Sequence, residues 1–180
     1  MKNILPQTGS VNRPRAVWTQ RTFSFGLPSS MLVYYLERLQ GTVYRLEAKV
    51  AGVPDEILSH QLDDKWSIKH NIGHLAELEE VSLIRIDEIL RGISPLSPAV
   101  FPTKQDYNAQ PVGQVLHYFK EKRSIHLEQY QELNEEQLKM SSLHPRLQVQ
   151  MNPVDLAFFH AEHDDNHLVR INEILNTLNP

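Results

Sequence analysis

Between Leu32 and Val50, apolar residues fall at Leu32, Leu36, Leu39, Val43, Leu46 and Val50, in alternating steps of four and three. That is the period of a helix showing one apolar face to other helices. Ser29 and Ser30, after Pro28, are the candidate N-caps, and Gly52 with Pro54 ends the pattern. A second helix is expected from Ser67 as N-cap through Ile72, Leu75, Leu78, Ile86 and Leu90 to a stop at Gly92. Pro95, Pro98 and Pro102 then bar regular helix and mark a long crossing loop. A third helix runs from about Pro111 through Val115, Phe119, His126 and Tyr130 to about Leu133, with a short helical turn to follow in 134–140. The fourth opens at Asn152, which caps, with Pro153 in the first turn and Asp155 complementing the dipole. No stretch alternates as a strand does. The expectation is an all-α four-helix bundle with a long, irregular connection between the second and third helices.

With 180 residues the chain is expected to form one domain with one core. Residues 29–180 make the bundle, and 1–28 form an arm that packs Trp18, Phe23 and Phe25 on it. The first acidic residue is Glu37, so Lys2, Arg13, Arg15 and Arg21 stand unopposed, as in a transit peptide. Pro6, Pro14 and Pro28 interrupt the amphipathic helix such a peptide needs, and no apolar segment follows. A net charge of -4 gives no pull toward nucleic acid, and no apolar run is long enough to span a membrane. The chain has no cysteine, which fits a reducing cytoplasm, the expected location. It also leaves only His, Asp, Glu and water as ligands for any metal.

Steps of three and four from Leu156 carry His160, His163 and His167 onto or beside the stripe that faces the other helices. Buried imidazoles need partners. His163 and His167 are one turn apart and point the same way, so both rings can reach one cation. Two imidazoles hold a divalent ion poorly in water, so a third ligand is expected from another helix, with His74 the leading candidate. Spacing alone is met equally well by core histidines bonded to carboxylates or carbonyls. His70, His117, His126 and His144 read as surface or structural residues.

Other templates fit poorly. The run from His163 to His167 resembles the H-E-x-x-H of zinc proteases with Asp164 in place of Glu, but the chain ends before their usual third ligand. There is no Glu-x-x-His motif of di-iron bundles, and no phosphate-loop, dinucleotide or serine-hydrolase signature.

Trp66-Ser67, Gly73-His74-Leu75, His144-Pro145 and Ala161-Glu162-His163-Asp164 through His167 follow the order and spacing of a known pattern. Arg21 to Phe25 and Leu36 to Thr42 extend it. On these residues the chain resembles the DinB/YfiT-like superfamily over most of its length. The resemblance implies a four-helix bundle holding a divalent metal, zinc or nickel most often, through His74, His163 and His167. His160 matches a histidine of some relatives that is not usually a ligand. Asn166 stands where many relatives have a further histidine, and Arg170 where glutamine is common, so substrate specificity does not transfer. Relatives include transferases that use thiols such as bacillithiol or mycothiol, and others pair through bundle faces, which with the exposed aromatics of the arm leaves a homodimer open as one assembly.

Three neutral imidazoles leave a divalent charge uncompensated and a coordination position free for water or substrate. Either a water or an external thiol brought there would lose its proton more readily. The leading expectation is a metal-dependent enzyme acting on a small molecule as a thiol S-transferase. With no cysteine in the chain, the thiol arrives as a cosubstrate. Asp164 and Glu79 are the candidates for a base or for support of the ligands, against the reading of both as solvated helix-face residues. A hydrolase using water is the first alternative, and a non-catalytic stress-response bundle with a structural metal or none is the second.

Overall fold

The computed structural model describes residues 15–101 and 105–178. Lys2 and Arg13 of the arm, and Pro102 and Thr103 of the connection, lie outside the described residues. Four long helices form the bundle: α1 (Leu32–Val50), α3 (Ile68–Leu90), α4 (Val112–Gln131) and α6 (Pro153–Leu178). Short helices α2 (Asp55–Ser59) and α5 (Glu135–Lys139) lie in the connections, with a two-residue antiparallel pair, β1 (Ser142–Leu143) and β2 (Gln150–Met151). The four-helix fold is the one the apolar periods imply.

The helix ends follow local chemistry. Ser67 caps α3 by accepting the His70 N–H at 3.1 Å. Asn152 caps α6 through the Asp155 N–H at 2.8 Å, with Pro153 in the first turn, where its missing N–H costs nothing. Gly92, at a φ of 70°, ends α3. The expected cap of α1 is corrected. Ser29 lies in a 3-10 turn, Ser29–Met31, and its hydroxyl donates to Glu135 at 2.8 Å, so α1 starts without a side-chain cap. The β pair was also unforeseen. Two residues are too short to show alternation, and the turn that joins them depends on Gln148 at a φ of 56°.

α1 and α3 each pack on both α4 and α6, which puts α1 and α3 at opposite corners. Glu79 meets Arg123 and Leu83 meets Gln129, so α3 and α4 run parallel. Arg38 meets Glu162 and Lys49 meets Asn172, so α1 and α6 are parallel too. The α1–α4 and α3–α6 neighbours are antiparallel, as Leu39–Arg123 with Glu47–Lys120 and Asn71–His167 with Ser82–His160 show. A parallel pair obliges the chain to return along the bundle, about 34 Å for the 23 residues of α3. The connection between α3 and α4 is long for that reason.

The apolar core has two halves. One gathers Val43, Leu46, Ile72, Leu75, Phe119 and Ile171; the other gathers Leu39, Ile86, Ile89, Tyr130, Val154 and Ala157. Between them lies a buried polar layer of Thr42, Glu79, Arg123, His126, His160 and Asp164. From Trp18 to Leu27 the arm runs over α6: Phe23 and Phe25 pack on Phe158 and Phe159, and the N–H groups of Gly26 and Leu27 donate to Asp155 at 2.9 and 3.0 Å.

Candidate metal centre

His74 projects from the second turn of α3, and His163 and His167 from successive turns of the antiparallel α6. One ring nitrogen from each lies within 4.8 Å of the other two. The Nε2 atoms of His163 and His167 are 3.3 Å apart. Two ligands of a tetrahedral zinc, each at about 2.0–2.1 Å from the ion, would stand about 3.3–3.4 Å apart.

The tautomer of His167 is fixed two bonds away. The Asn71 side-chain N–H group donates to the carbonyls of Trp66 and Ser67 at 3.2 and 2.7 Å. That leaves its carbonyl oxygen facing His167, whose Nδ1–H donates to it at 2.7 Å. The Nε2 lone pair of His167 is therefore turned to His163. The Nδ1 atom of His163 is buried without a partner among the described residues. If His163 carries its proton on Nε2, it bonds to His167 and leaves the Nδ1 lone pair orphaned. If the proton is on Nδ1, two lone pairs face each other. A cation between the Nε2 atoms relieves the facing lone pairs of the second arrangement, although its Nδ1–H stays buried with no partner among the described residues, so the two Nε2 atoms fit a divalent ion.

The rings are poised as neutral ligands. Burial pushes the pKa of His74 down to about 4, with repulsion from His160 adding to it. Burial, then the nearby His74, pushes His167 down to about 3, and burial with His167 and His74 beside it holds His163 well below the usual imidazole range. Trp66 packs at a tilt of 52° on His74 with centroids 4.6 Å apart, Phe101 covers it at 4.9 Å, and Trp18 of the arm meets His163 edge-on at 5.1 Å.

Glu79 and Asp164 belong to the polar layer. Both have 0% exposure, which corrects their reading as solvated helix-face residues. The buried Arg123 guanidinium holds both, with Nη2 2.5 Å from Glu79 Oε1 and Nη1 2.9 Å from Asp164 Oδ2. Thr42 donates to Asp164 at 2.8 Å, His126 to Glu79 at 2.6 Å, and the Leu39 carbonyl accepts from Arg123 at 2.5 Å. Burial would raise the pKa of Glu79, but Arg123, His160 and His126 reverse that and hold it well below the carboxylate range. Glu79, His126 and His160 also bring three ligand-type atoms within 4.8 Å, yet a cation, Arg123, already fills that place. His160 bridges the layer to the site: it lies 3.1 Å from Glu79 through Nε2, and its Nδ1 accepts from Ser82 at 3.0 Å.

A cavity of about 530 Å³ opens on His74 and His163, and a second of about 420 Å³ reaches His167. Trp18, Phe101, Leu156 and Phe159 give the first its apolar wall, and no carboxylate among the described residues lines it. The two departures from the resemblance, Asn166 and Arg170, line the second, where Arg15 donates to Asn166 at 2.7 Å. Of the other histidines, His70 pairs with Ser67, His117 is exposed, and His144 lines the first cavity away from the three rings, buried against Arg85.

Arg123, Asn71 and Arg85 are site residues that the sequence patterns above do not single out. Arg123 carried a signal, because the third-helix stripe runs Phe119 to His126 and the residue that fills the gap is charged. Arg85 likewise falls between Leu78 and Ile89 on a buried stripe. Asn71 carried none, since its role depends on two carbonyls and a ring from α6.

Among known proteins, residues 38–171 match the family model described as the DinB superfamily, well over half of the chain. The structure of YfiT from Bacillus subtilis, described as a probable metal-dependent hydrolase with an unusual four-helix bundle topology, superposes with a TM-score of 0.72 at 17% identity. The match covers 88% of this chain and 93% of that one. At that identity the likeness speaks for the fold alone. No curated protein matches the sequence significantly. The family match establishes that this chain belongs to the DinB superfamily.

Proposed function

We propose that this protein is a divalent-metal-dependent enzyme in which His74, His163 and His167 hold the ion, and that it transfers a group on a small molecule to an external low-molecular-weight thiol. The observation that carries the metal reading is the 3.3 Å approach of two Nε2 atoms, one with its lone pair fixed toward the other by Asn71. A zinc or nickel ion there would supply Lewis acidity, easing loss of a proton from a thiol or water. The protein's own part is to keep three imidazoles neutral, to orient His167 through Asn71, and to shield the opening with Trp18, Phe101 and Phe159. Glu79 and Asp164 act in this reading as positioning residues, since both are committed to Arg123 and neither lines the cavity.

Two features support thiol transfer. Cavities reach the histidines from His163 and from His167, which gives room for two substrates. Among the described residues no carboxylate lines the larger one, so a water nucleophile lacks the usual base there, whereas a thiol ionises more readily and needs less help. The hydrolase reading is the second, favoured by the description of YfiT as a probable metal-dependent hydrolase. The assay that separates them uses an aryl halide with bacillithiol or mycothiol, and 4-nitrophenyl acetate without thiol, each with metal-loaded and chelated protein. Halide release requiring both thiol and ion, and lost in His163→Ala, is the expected result. Ester turnover requiring the ion but no thiol would establish the hydrolase, and no turnover of either with the ion fully bound would leave a structural metal.

A further inference from the structure

The larger cavity has a charge pattern that the metal reading does not use. Arg85, on α3, is only 8% exposed and lines the cavity with Arg146 and His144. Buried arginines are normally paired with carboxylates, because an uncompensated charge away from water is costly. Arg85 has no carboxylate within ion-pair distance among the described residues. Glu88, whose charge acts on Arg85 without touching it, accepts instead from the Ser97 N–H at 2.9 Å and from the Ser97 hydroxyl.

The guanidinium is poorly satisfied. It has five N–H donors. Its Nε is buried with no partner among the described residues, Nη1 meets His144 Nε2 at 3.2 Å, and Nη2 reaches the Ser97 carbonyl only at 3.5 Å. His144 is a partial acceptor at best. Burial and the two arginines push its pKa down to about 4, so it is neutral with one lone pair. The backbone N–H groups of Arg146 and Leu147, at 3.3 and 3.2 Å, compete on Nδ1 for the acceptor role that Arg85 needs on Nε2. Arg146 adds a second cation, exposed on the same wall and without an ion pair among the described residues.

We infer that this cavity binds a small molecule with an apolar body and an anionic end group, the anion held by Arg85 and Arg146 and the body lying against Trp18, Phe101 and Phe159 beside His74 and His163. The inference rests on the proposed function in taking this cavity as the substrate site of the metal centre. The planar guanidinium fork matches a carboxylate or a phosphate, and the two are separated by experiment.

Calorimetric titration of chelator-treated protein with 3-phenylpropionate, 2-phenylethyl phosphate and the neutral 3-phenylpropionamide is the test. At least one anion should bind, and the amide should bind tenfold or more weakly. Arg85→Gln should weaken the anion about ten- to a hundredfold and Arg146→Gln several-fold, with metal uptake unchanged in both. Arg146→Gln, being a surface change, keeps the test valid if Arg85→Gln does not fold. Equal binding of anion and amide, no binding of either anion, or full affinity in both variants would overturn the inference. Anion binding that appears only with metal present and ignores both arginines would overturn it while leaving the metal reading intact. Arginine-dependent binding in a protein that takes up no metal would uphold the anion site and refute the metal centre.

Discussion

Asn71 can orient His167 only because its amide is anchored by the carbonyls of Trp66 and Ser67. Asn71→Ala removes the acceptor for Nδ1–H, so the ring can turn and present either nitrogen. Zinc affinity should fall about 10–100-fold, measured by competition with a chromophoric chelator. Affinity within twofold of wild type would contradict the role given to Asn71. The helical period alone put His163 and His167 on one face, since i,i+4 spacing is local. What holds those rings was not legible, because Asn71 lies 96 positions from His167 and only the fold brings them together. Glu79 and Asp164 show the same limit: their burial depends on Arg123, from a third helix.

At the scale of elements, Arg123 ties all four long helices at one level, through Leu39 of α1, Glu79 of α3 and Asp164 of α6. Arg123→Met keeps most of the side-chain volume but strands two carboxylates away from water. The expected loss is about 3–5 kcal/mol, read from urea denaturation, and a loss under about 1 kcal/mol would mean the layer is not held by charge. Gly73 marks a second junction, because a Cβ there would run into the Tyr107 ring. That ring packs the returning connection on the start of α3, and its hydroxyl donates to Glu77 at 2.8 Å. Gly73→Ala should therefore cost about 1–3 kcal/mol and loosen the connection, seen as faster backbone hydrogen exchange in residues 105–110. Unchanged stability and exchange would contradict that packing. Helix positions were readable from apolar period and caps, but their order around the bundle was not. Parallel pairing of α3 with α4 follows from contacts no single stripe records, although the long proline-rich connection is its trace in the sequence.

For the whole molecule, the depressed histidines tie stability to pH. Below an ordinary imidazole pKa of 6.5 the unfolded chain takes up protons that the folded chain refuses, since His74 and His144 titrate only near pH 4 and His167 near pH 3. Stability is therefore full above about pH 7 and falls as pH drops toward 4, by up to about 1.4 kcal/mol per pH unit for each such histidine. The urea midpoint of chelated protein should decline steadily between pH 7 and 5, and a flat or rising midpoint would contradict the neutral, buried imidazoles. Among the described residues no helix is long and apolar enough to cross a membrane. The central claim is that His74, His163 and His167 hold one divalent ion. It is tested most directly by elemental analysis of the untagged protein against His163→Ala at matched purity and matched zinc exposure. Wild type should hold close to one zinc or nickel per chain, largely lost in the variant; wild-type protein that takes up no metal, or a variant that keeps it, would contradict a three-histidine site.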